Sequence, residues 1–375
     1  MSDLMQGVTS KALRLNVPLN VQLDLTYRCN ERCVHCYLDH HDHGEMTTAE
    51  IKHLLQELAD AGVFILTLSG GELFVRKDIF EIIEYARQLM FCVRLKTNAT
   101  LIGEHEASRL RDLAIESIQV SIYSHRADVH DAVTLLPGSL NRSLDGIRFL
   151  KARGLKVIMA NVLMTYNAGD YAEVRSLAAD LGVECTLDPT ITPMMDGDRS
   201  VLRLGVDQNA LREVFRDAAL VGNVEEFCAI APETVEDDLE AIPCSAGHTA
   251  CYVSPYGDVF PCVQFPLPTG NVRRERFVDI WRDSSQMNEV RSIRLKDLPT
   301  CSSCSHVSSC SRCPGLAYME GNMRGPSTQD CEKSSARTGV PSANMLGKKQ
   351  RAAAALVQIR PVVAPANGPA AGAVA

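Results

Sequence analysis

The stretch Cys29-Asn-Glu-Arg-Cys33-Val-His-Cys36 places three cysteines in the spacing C-x3-C-x2-C. A tetrahedral structural metal site takes four protein ligands, and a cubane iron–sulfur cluster also needs four. Three thiolates on such a cluster leave one iron with an open coordination position. An iron of that kind can bind a small molecule and transfer an electron to it, which favours a chemical role for this stretch. The alternative is a zinc site that is completed by one of the nearby histidines His40, His41 and His43.

Length and composition restrict the class of protein. The chain has 375 residues, which suits one large domain with a small one, or a barrel. Hydrophobic residues make up 46% of the chain and charged residues 22%, which is typical of a globular protein with a sizeable core. The formal net charge of -8 argues against a general nucleic-acid-binding function, because that function requires a basic surface.

The cysteine count indicates metal binding in a reducing compartment. Fourteen cysteines in a short secreted chain would suggest disulfides, but residues 1–20 contain neither an apolar signal-peptide core nor a small-residue cleavage site. No run of about 18 apolar residues is present, so we expect no membrane span. The sequence therefore predicts a cytoplasmic protein whose cysteines bind metal.

Strand and helix patterns alternate through the first half of the chain. Residues 20–26 alternate polar and apolar side chains, which predicts a strand that ends just before Cys29. A capping box at Thr47-x-x-Glu50 starts a helix that runs to about Ala61, and an apolar strand follows over 63–69. The same patterns predict further strands near 92–97, 116–122, 156–163 and 184–188, and helices near 77–90, 104–113, 140–153 and 170–181.

Six strand–helix units with short connections predict an α/β fold with a parallel sheet, which is either curved as a partial barrel or open and doubly wound. In both cases the functional site belongs at the carboxyl ends of the strands, where the cysteine loop lies.

The composition divides the rest of the chain. Eight cysteines and many turn-forming residues between 244 and 331 predict a small domain that is held by metal rather than by an apolar core. The Ala-, Pro- and Val-rich end predicts a disordered tail. The expected organisation is an N-terminal segment 1–17, a barrel 18–190, a bridging segment 191–243, a cysteine-rich domain 244–335 and a tail 340–375.

A Gly70-Gly71-Glu72 sequence directly follows the second predicted strand. Two glycines at a strand end usually form only a turn, although they also allow a ligand to approach the backbone closely, and the glutamate can accept hydrogen bonds from an ammonium group. In combination with the C-x3-C-x2-C loop one unit earlier, this sequence resembles the radical SAM superfamily.

That resemblance implies a partial (β/α)6 TIM-like barrel with a [4Fe-4S] cluster on Cys29, Cys33 and Cys36. The open iron would be chelated by S-adenosylmethionine, whose amino group is received by Gly70, Gly71 and Glu72. Reductive cleavage would give methionine and a 5'-deoxyadenosyl radical that abstracts hydrogen from the substrate.

The resemblance also implies that Asn98 and Ser121 contact the ribose or the methionine of the cofactor, although both residue types are ordinary in turns and strands. Thr134 occupies a position where many relatives have an arginine near the cofactor carboxylate, so the sequence names no partner for that carboxylate.

The later cysteines resemble those of the SPASM domain. Their pattern is Cys244-x12-Gly257-x4-Cys262, then Cys301-x2-Cys304-x5-Cys310-x2-Cys313, then Cys331, with Cys251 as an eighth thiol. Eight thiolates suit two closed four-iron clusters. The resemblance assigns Cys244, Cys251, Cys262 and Cys313 to one auxiliary cluster and Cys301, Cys304, Cys310 and Cys331 to the other, which gives three [4Fe-4S] clusters in all. The alternative is a pair of zinc sites, because Cys-x2-Cys is also a zinc-binding pattern.

Three cysteines lie outside these patterns. Cys92 and Cys185 begin predicted strands and are interpreted as small core residues. Cys228 lies in the bridging segment, where a thiol could return a hydrogen atom to a substrate radical, as in some relatives that invert peptide stereocentres. The sequence identifies no general base, since it does not show which face of the sheet Asp24, Asp188 and Tyr123 occupy.

The resemblance favours a peptide maturase that crosslinks, epimerises or otherwise modifies a ribosomally made peptide. The alternatives are a small-molecule enzyme such as a haem-pathway decarboxylase, a sulfatase-maturing enzyme, or a non-enzymatic peptide-binding protein stabilised by metal. The expected partners are a peptide substrate and an electron donor such as flavodoxin or ferredoxin. The residues before Val17 are too few for a peptide-recognition domain, so a leader peptide would need a separate leader-peptide recognition protein or another surface of this protein.

Overall fold

Six parallel strands form the first part of one sheet in the computed structural model, which describes residues 3–230, 239–307 and 309–346. Each strand coincides with a predicted one. They are β1 (Asn20–Asp24), β2 (Ile65–Ser69), β3 (Cys92–Thr97), β4 (Ser117–Ser121), β5 (Val157–Val162) and β6 (Glu184–Asp188).

The strand order resolves the choice between the two predicted architectures. Strands β1 to β6 lie side by side in sequence order, and every neighbouring pair is parallel. A doubly wound sheet would reverse its strand order at a switch point, whereas a barrel winds in one direction. The fold is therefore the partial barrel.

Fourteen α-helices accompany the sheet in the described ranges. The first seven are α1 (Asp3–Leu15), α2 (Thr48–Asp60), α3 (Ile79–Gln88), α4 (Glu104–Asp112), α5 (Ala127–Thr134), α6 (Ser139–Ala152) and α7 (Tyr171–Asp180). The others are α8 (Gln208–Phe215), α9 (Ala218–Val221), α10 (Val224–Cys228), α11 (Phe277–Asp283), α12 (Ser285–Ser292), α13 (Pro314–Met319) and α14 (Thr328–Thr338). Short 3-10 helices occupy Leu73–Val75, Ser200–Leu204 and Leu295–Asp297. None of these helices is long and apolar enough to cross a lipid bilayer.

Side chains alternate across the strands, which separates an apolar convex face from a polar concave one. The predicted capping box is present at the start of α2, where Thr47 accepts from the Glu50 N–H and the Glu50 side chain accepts from the Thr47 N–H. The convex face and the helices that cover it form one apolar core, which includes Val21, Leu23, Leu66, Leu68, Val93, Leu95, Leu54 and Leu58. The remaining positions of the strands face a polar lumen that opens at their carboxyl ends.

The sheet continues beyond the barrel into the cysteine-rich segment, which the sequence patterns did not predict. Strand β7 (Ala250–Val253) pairs in parallel with β1, and β8 (Asp258–Phe260) and β9 (Gly270–Asn271) extend the sheet antiparallel. Val253, Phe277 and Trp281 belong to the same core cluster as the barrel strands. This part of the segment is thus held by the main apolar core, and not by metal alone.

The N-terminal segment and the start of the C-terminal tail contain structure that the sequence patterns did not predict. Helix α1 was not predicted, and the Asn16 carbonyl that follows it accepts a 2.6 Å hydrogen bond from the Trp281 indole. Of the expected disordered tail, residues 340–346 are described. The Val340 carbonyl lies 3.1 Å from His306 Nε2, and the Ser342 N–H donates to Ser335. The rest of the tail lies outside the described residues.

Candidate active site

The C-x3-C-x2-C loop follows β1 and lines a cavity of ≈ 450 Å³ at the carboxyl ends of the barrel strands. Residues at the carboxyl ends of β1, β2, β3 and β4 therefore lie around one cavity. The sequence-predicted residues that line this cavity are Cys29, Cys33, Cys36, Gly70, Gly71, Asn98 and Ser121.

The three thiols are suited to a positively charged metal group. All fourteen cysteines lack disulfide partners. Burial raises the pKa of Cys29 to about 12 and that of Cys36 to about 11, and it raises the pKa of Cys33 as well. The surrounding protein thus provides too little positive charge to stabilise three thiolates, and a bound cluster of iron ions would provide it.

The spacing of the sulfur atoms favours a cluster over a single zinc ion. Ligand atoms around one tetrahedral zinc, with Zn–S bonds of about 2.3 Å, lie within about 4 Å of one another. In the described part of the chain, Asp39, His41 and His43 form the one group of three possible metal ligands whose ligand atoms all lie within 4.8 Å of one another. All three residues are exposed. The sulfurs of Cys29, Cys33 and Cys36 do not form such a group, so at least one pair of them lies more than 4.8 Å apart.

The two glycines serve a packing purpose that the sequence argument did not identify. A Cβ on Gly70 would stand 2.2 Å from the Thr26 carbonyl oxygen, and one on Gly71 would stand 2.3 Å from the Arg28 carbonyl oxygen. The Gly71 N–H also donates to the Thr26 carbonyl at 2.7 Å. The backbone that approaches these glycines closely is therefore that of the cysteine loop itself, and the glycines set the position of the loop against β2.

Glu72 is fully buried and joins this turn to the end of β3. Its carboxylate accepts hydrogen bonds from the Asn98 N–H at 2.8 Å, from the Phe74 N–H at 3.1 Å and from the Thr97 hydroxyl at 2.8 Å. Burial raises the pKa of Glu72, and the hydrogen bonds oppose that rise. The Asn98 side chain in turn donates to Asn30 at 2.9 Å and lies 3.9 Å from Cys29 Sγ. Glu72 and Asn98 thus connect the Gly-Gly-Glu turn to the cysteine loop.

We expect Glu72→Gln to lower the free energy of unfolding by about 1–3 kcal/mol, because its NH2 group would face a backbone N–H that the carboxylate now satisfies. Denaturant unfolding of anaerobically reconstituted protein measures this change. Glu81→Gln is the control, since Glu81 makes a surface ion pair with Lys52, and such pairs contribute little. Equal stability of the two variants would contradict the structural role of Glu72.

The cysteine loop is also braced by two charged residues that sequence reasoning missed. Glu45 accepts hydrogen bonds from the Thr26 hydroxyl at 2.6 Å and from the Tyr27 N–H at 2.9 Å. Arg76 is buried and donates to the Leu25 carbonyl at 2.9 Å. Neither residue belongs to a recognisable sequence pattern, so only the folded chain shows that both fix the end of β1.

The eight later cysteines lie in two groups of four. Cys262 acts electrostatically on Cys251 and Cys313, and Cys244 acts on Cys262. Burial raises the pKa of Cys313 to about 11, with Asp330 and Cys262 adding to the rise. The other group surrounds a cavity of ≈ 50 Å³ and consists of Cys301, Cys304, Cys310 and Cys331. Each group has the donor set of a closed four-iron cluster.

The structure places the first of these groups beside the candidate active site. Val263 and Gln264, which follow Cys262, line the same cavity as Cys29 and Cys36. A metal group on Cys262 would therefore lie close to a substrate in the cavity.

Cys228, the proposed hydrogen donor, does not line this cavity. It lies on α10, where its thiol donates to the Phe215 carbonyl at 3.5 Å. Among the residues considered as bases, Asp188 and Tyr123 line the cavity, and Tyr123 packs edge-on against His35. Asp24 is buried at the end of β1 and does not line the cavity; it accepts from Tyr252 at 2.9 Å, and burial raises its pKa to about 6.

The model of the radical SAM superfamily matches residues 23–178, and that of an iron–sulfur cluster-binding domain, SPASM, matches residues 244–314. An AdoMet-dependent heme synthase of Methanosarcina barkeri is 30% identical over 326 residues, which cover 81% of this chain and 93% of that protein. The mycofactocin maturase MftC of Mycobacterium tuberculosis is 29% identical over 79% of this chain and 78% of its own. Among solved structures, Streptococcus suis SuiB bound to precursor peptide SuiA superposes with a TM-score of 0.69 at 18% identity, covering 87% of this chain and 79% of that one.

The matched segments coincide with the barrel that carries Cys29, Cys33 and Cys36 and with the region of the later cysteines. The similarity to the heme synthase extends over nearly all of that relative's length. The chain belongs to the radical SAM superfamily, and it is an enzyme of that family with a C-terminal SPASM domain.

Proposed function

We propose that this enzyme modifies a ribosomally made peptide by abstracting a hydrogen atom from it. The observation that carries the proposal is one cavity whose wall contains the three-thiol loop, Gly70 and Gly71, and the residues Val263 and Gln264 that directly follow the SPASM cysteine Cys262. The sequence similarity of this chain to the mycofactocin maturase MftC supports a peptide substrate. The modification would be a crosslink, an epimerisation or a related change.

The residues around the cavity define how the cofactors would be held. Cys29, Cys33 and Cys36 would ligate one [4Fe-4S] cluster, and the backbone of Gly70 and Gly71 faces the same space as that cluster. When bound, the cluster and S-adenosylmethionine supply the electron and the 5'-deoxyadenosyl radical that begin the reaction. Asn98 and Ser121 line the cavity and offer hydrogen-bonding groups to the cofactor.

The SPASM cysteines would hold two further [4Fe-4S] clusters, as their two sets of four thiols suggest. Because Cys262 adjoins the cavity wall, the group on Cys244, Cys251, Cys262 and Cys313 is the one suited to accept an electron from the substrate. An external donor such as flavodoxin or ferredoxin would reduce the cluster of the cysteine loop. A leader peptide would be bound by a separate leader-peptide recognition protein or by another surface of the enzyme.

The test is co-expression of the enzyme with short open reading frames that flank its gene, followed by mass spectrometry of the encoded peptides. We expect a defined mass change in one peptide that is absent when Cys29, Cys33 and Cys36 are replaced by alanine. Peptides that remain unmodified with wild-type enzyme, under conditions where it cleaves S-adenosylmethionine, would refute the proposal.

A second candidate is decarboxylation of a haem precursor, which the 30% identity to a heme synthase over 93% of its length favours. The same preparation would then convert an iron tetrapyrrole that carries propionate groups, with loss of carbon dioxide. Conversion of that substrate without change in any peptide would select the second candidate over the first.

A further inference from the structure

Lys96 places a cation in the wall of the candidate active site without an anionic partner. It lines the cavity that also contains Cys29 and Cys36, and among the described residues it is the one lysine or arginine in the wall of that cavity. Its ammonium donates to the Gln22 side-chain oxygen at 3.0 Å. In the described ranges it makes no ion pair within 4.0 Å. A half-buried ammonium that has only one amide acceptor retains donors for a ligand.

The strand register puts Lys96 one layer below the residues that were expected to contact the cofactor. Lys96 lies on β3 and precedes Asn98, which directly follows the strand, by two residues, and two residues correspond to a rise of about 6.6 Å in extended chain. Its partner in the neighbouring strand is Gln119, which precedes Ser121 in the same way. The Gln119 side chain lines the cavity and forms no hydrogen bond to the described part of the chain.

The charges near Lys96 lie on the SPASM side of the cavity. Burial lowers the pKa of Lys96, and Asp24, Cys262 and Asp188 counteract that effect at longer range. The Asp24 oxygens accept from Tyr252 and Gln22, and they make no ion pair with the Lys96 ammonium within 4.0 Å. An anion that enters the cavity would give Lys96 a direct partner.

The anion site at Lys96 differs in position from the site that the carboxylate of S-adenosylmethionine would occupy. The cofactor carboxylate would chelate the cluster on the cysteine loop. Lys96, Gln22 and Gln119 also line a neighbouring cavity, whose wall contains Cys251 and Cys262 of the first SPASM group and none of the three loop cysteines. Lys96 therefore lies between the cavity of the cysteine loop and the first SPASM thiol group.

We propose that Lys96, flanked by Gln22 and Gln119, binds a carboxylate of the substrate, so that the substrate is a peptide whose C-terminal or side-chain carboxylate lies next to the site of hydrogen abstraction. The substrate class rests on the proposed function, while carboxylate recognition by Lys96 is independent of it. Two hydrogen-bonding amides and one cation form a site that suits a planar anion.

Affinity selection by reconstituted holoenzyme with S-adenosylmethionine, without reductant, tests this site. The probes are random hexapeptides without Asp or Glu that end in a free carboxylate, the same peptides ending in an amide, amidated peptides that contain Asp and Glu, and a mixture of small dicarboxylic acids with their amides. Mass spectrometry measures the retained members for wild type, Lys96→Met, Lys96→Arg and the control Arg94→Met. Arg94 shares the face of β3 but pairs with Glu116 at 2.7 Å.

We expect wild type and Arg94→Met to retain carboxylate-bearing peptides over amides. Lys96→Met should lose this preference by about tenfold or more, and Lys96→Arg should keep part of it. Equal retention of acids and amides by wild type, or an unchanged preference in Lys96→Met, would overturn the proposal. Weakened binding of S-adenosylmethionine by Lys96→Met would also overturn it, because the ammonium would then serve the cofactor.

One further outcome separates this proposal from the proposed function. Lys96-dependent retention of the small dicarboxylic acids, with no retention of any peptide, would support carboxylate recognition and reject the peptide substrate.

Discussion

Replacing Cys29, Cys33 and Cys36 together by alanine is expected to abolish 5'-deoxyadenosine formation. The three thiols line one cavity, and no other cysteines reach it in the part of the chain that the structure describes. Iron should fall from about twelve to about eight atoms per chain, because one of the three proposed four-iron clusters would lose its ligands while the SPASM thiols remain. Iron and sulfide analysis, with product detection under strong reductant, measures both changes.

The matched control for the triple variant is Cys92→Ala with Cys185→Ala. These cysteines stand at the starts of β3 and β6, at the opposite end of the strands from the cavity. This double variant should keep its iron and its activity. Stoichiometric zinc without iron in the wild type, together with no cleavage of S-adenosylmethionine, would reject the cluster assignment and leave a metal-stabilised binding protein.

The barrel could be predicted from sequence because its signals are local. Alternation along 20–26 and the Thr47–Glu50 capping box depend on side chains that are neighbours in the chain. The order of the strands in the sheet could not be predicted from these local signals, because a partial barrel and a doubly wound sheet are built from the same strand–helix units. Strand β7 was missed because its pairing with β1 joins residues that are distant in sequence.

The sequence identified several residues that line one cavity, but it identified only part of their contacts. Gly70 and Gly71 are predicted to let a ligand approach the backbone, and the structure shows in addition that they make room for the residues leading into the cysteine loop. The sequence did carry a signal for Lys96, since Arg94 and Lys96 alternate with buried Val93 and Leu95 along β3. That pattern places a cation on the concave face, but its lack of an anionic partner appears only in the fold.

The close contact between the Gly-Gly-Glu turn and the cysteine loop predicts a large effect for Gly71→Ala. The new methyl group would stand 2.3 Å from the Arg28 carbonyl oxygen and 2.7 Å from its carbon. Both are backbone atoms next to Cys29, so the loop must move, and a displacement of about 1 Å in a reacting assembly can reduce the rate by about 100-fold. Overpacking of this kind also costs about 1–3 kcal/mol of stability.

The control for this variant is Gly169→Ala, where no heavy atom lies within 4 Å of the added methyl group and φ is not left-handed. It should change stability by less than about 0.5 kcal/mol and keep the wild-type rate of 5'-deoxyadenosine formation. Measuring iron content beside that rate separates two causes of the loss in Gly71→Ala. Full iron with a low rate indicates that the cluster forms but the cofactor is misplaced, whereas low iron indicates that the thiols no longer converge. A Gly71→Ala enzyme with normal iron and a normal rate would show that the loop tolerates displacement, and the packing argument for the Gly-Gly pair would then be wrong.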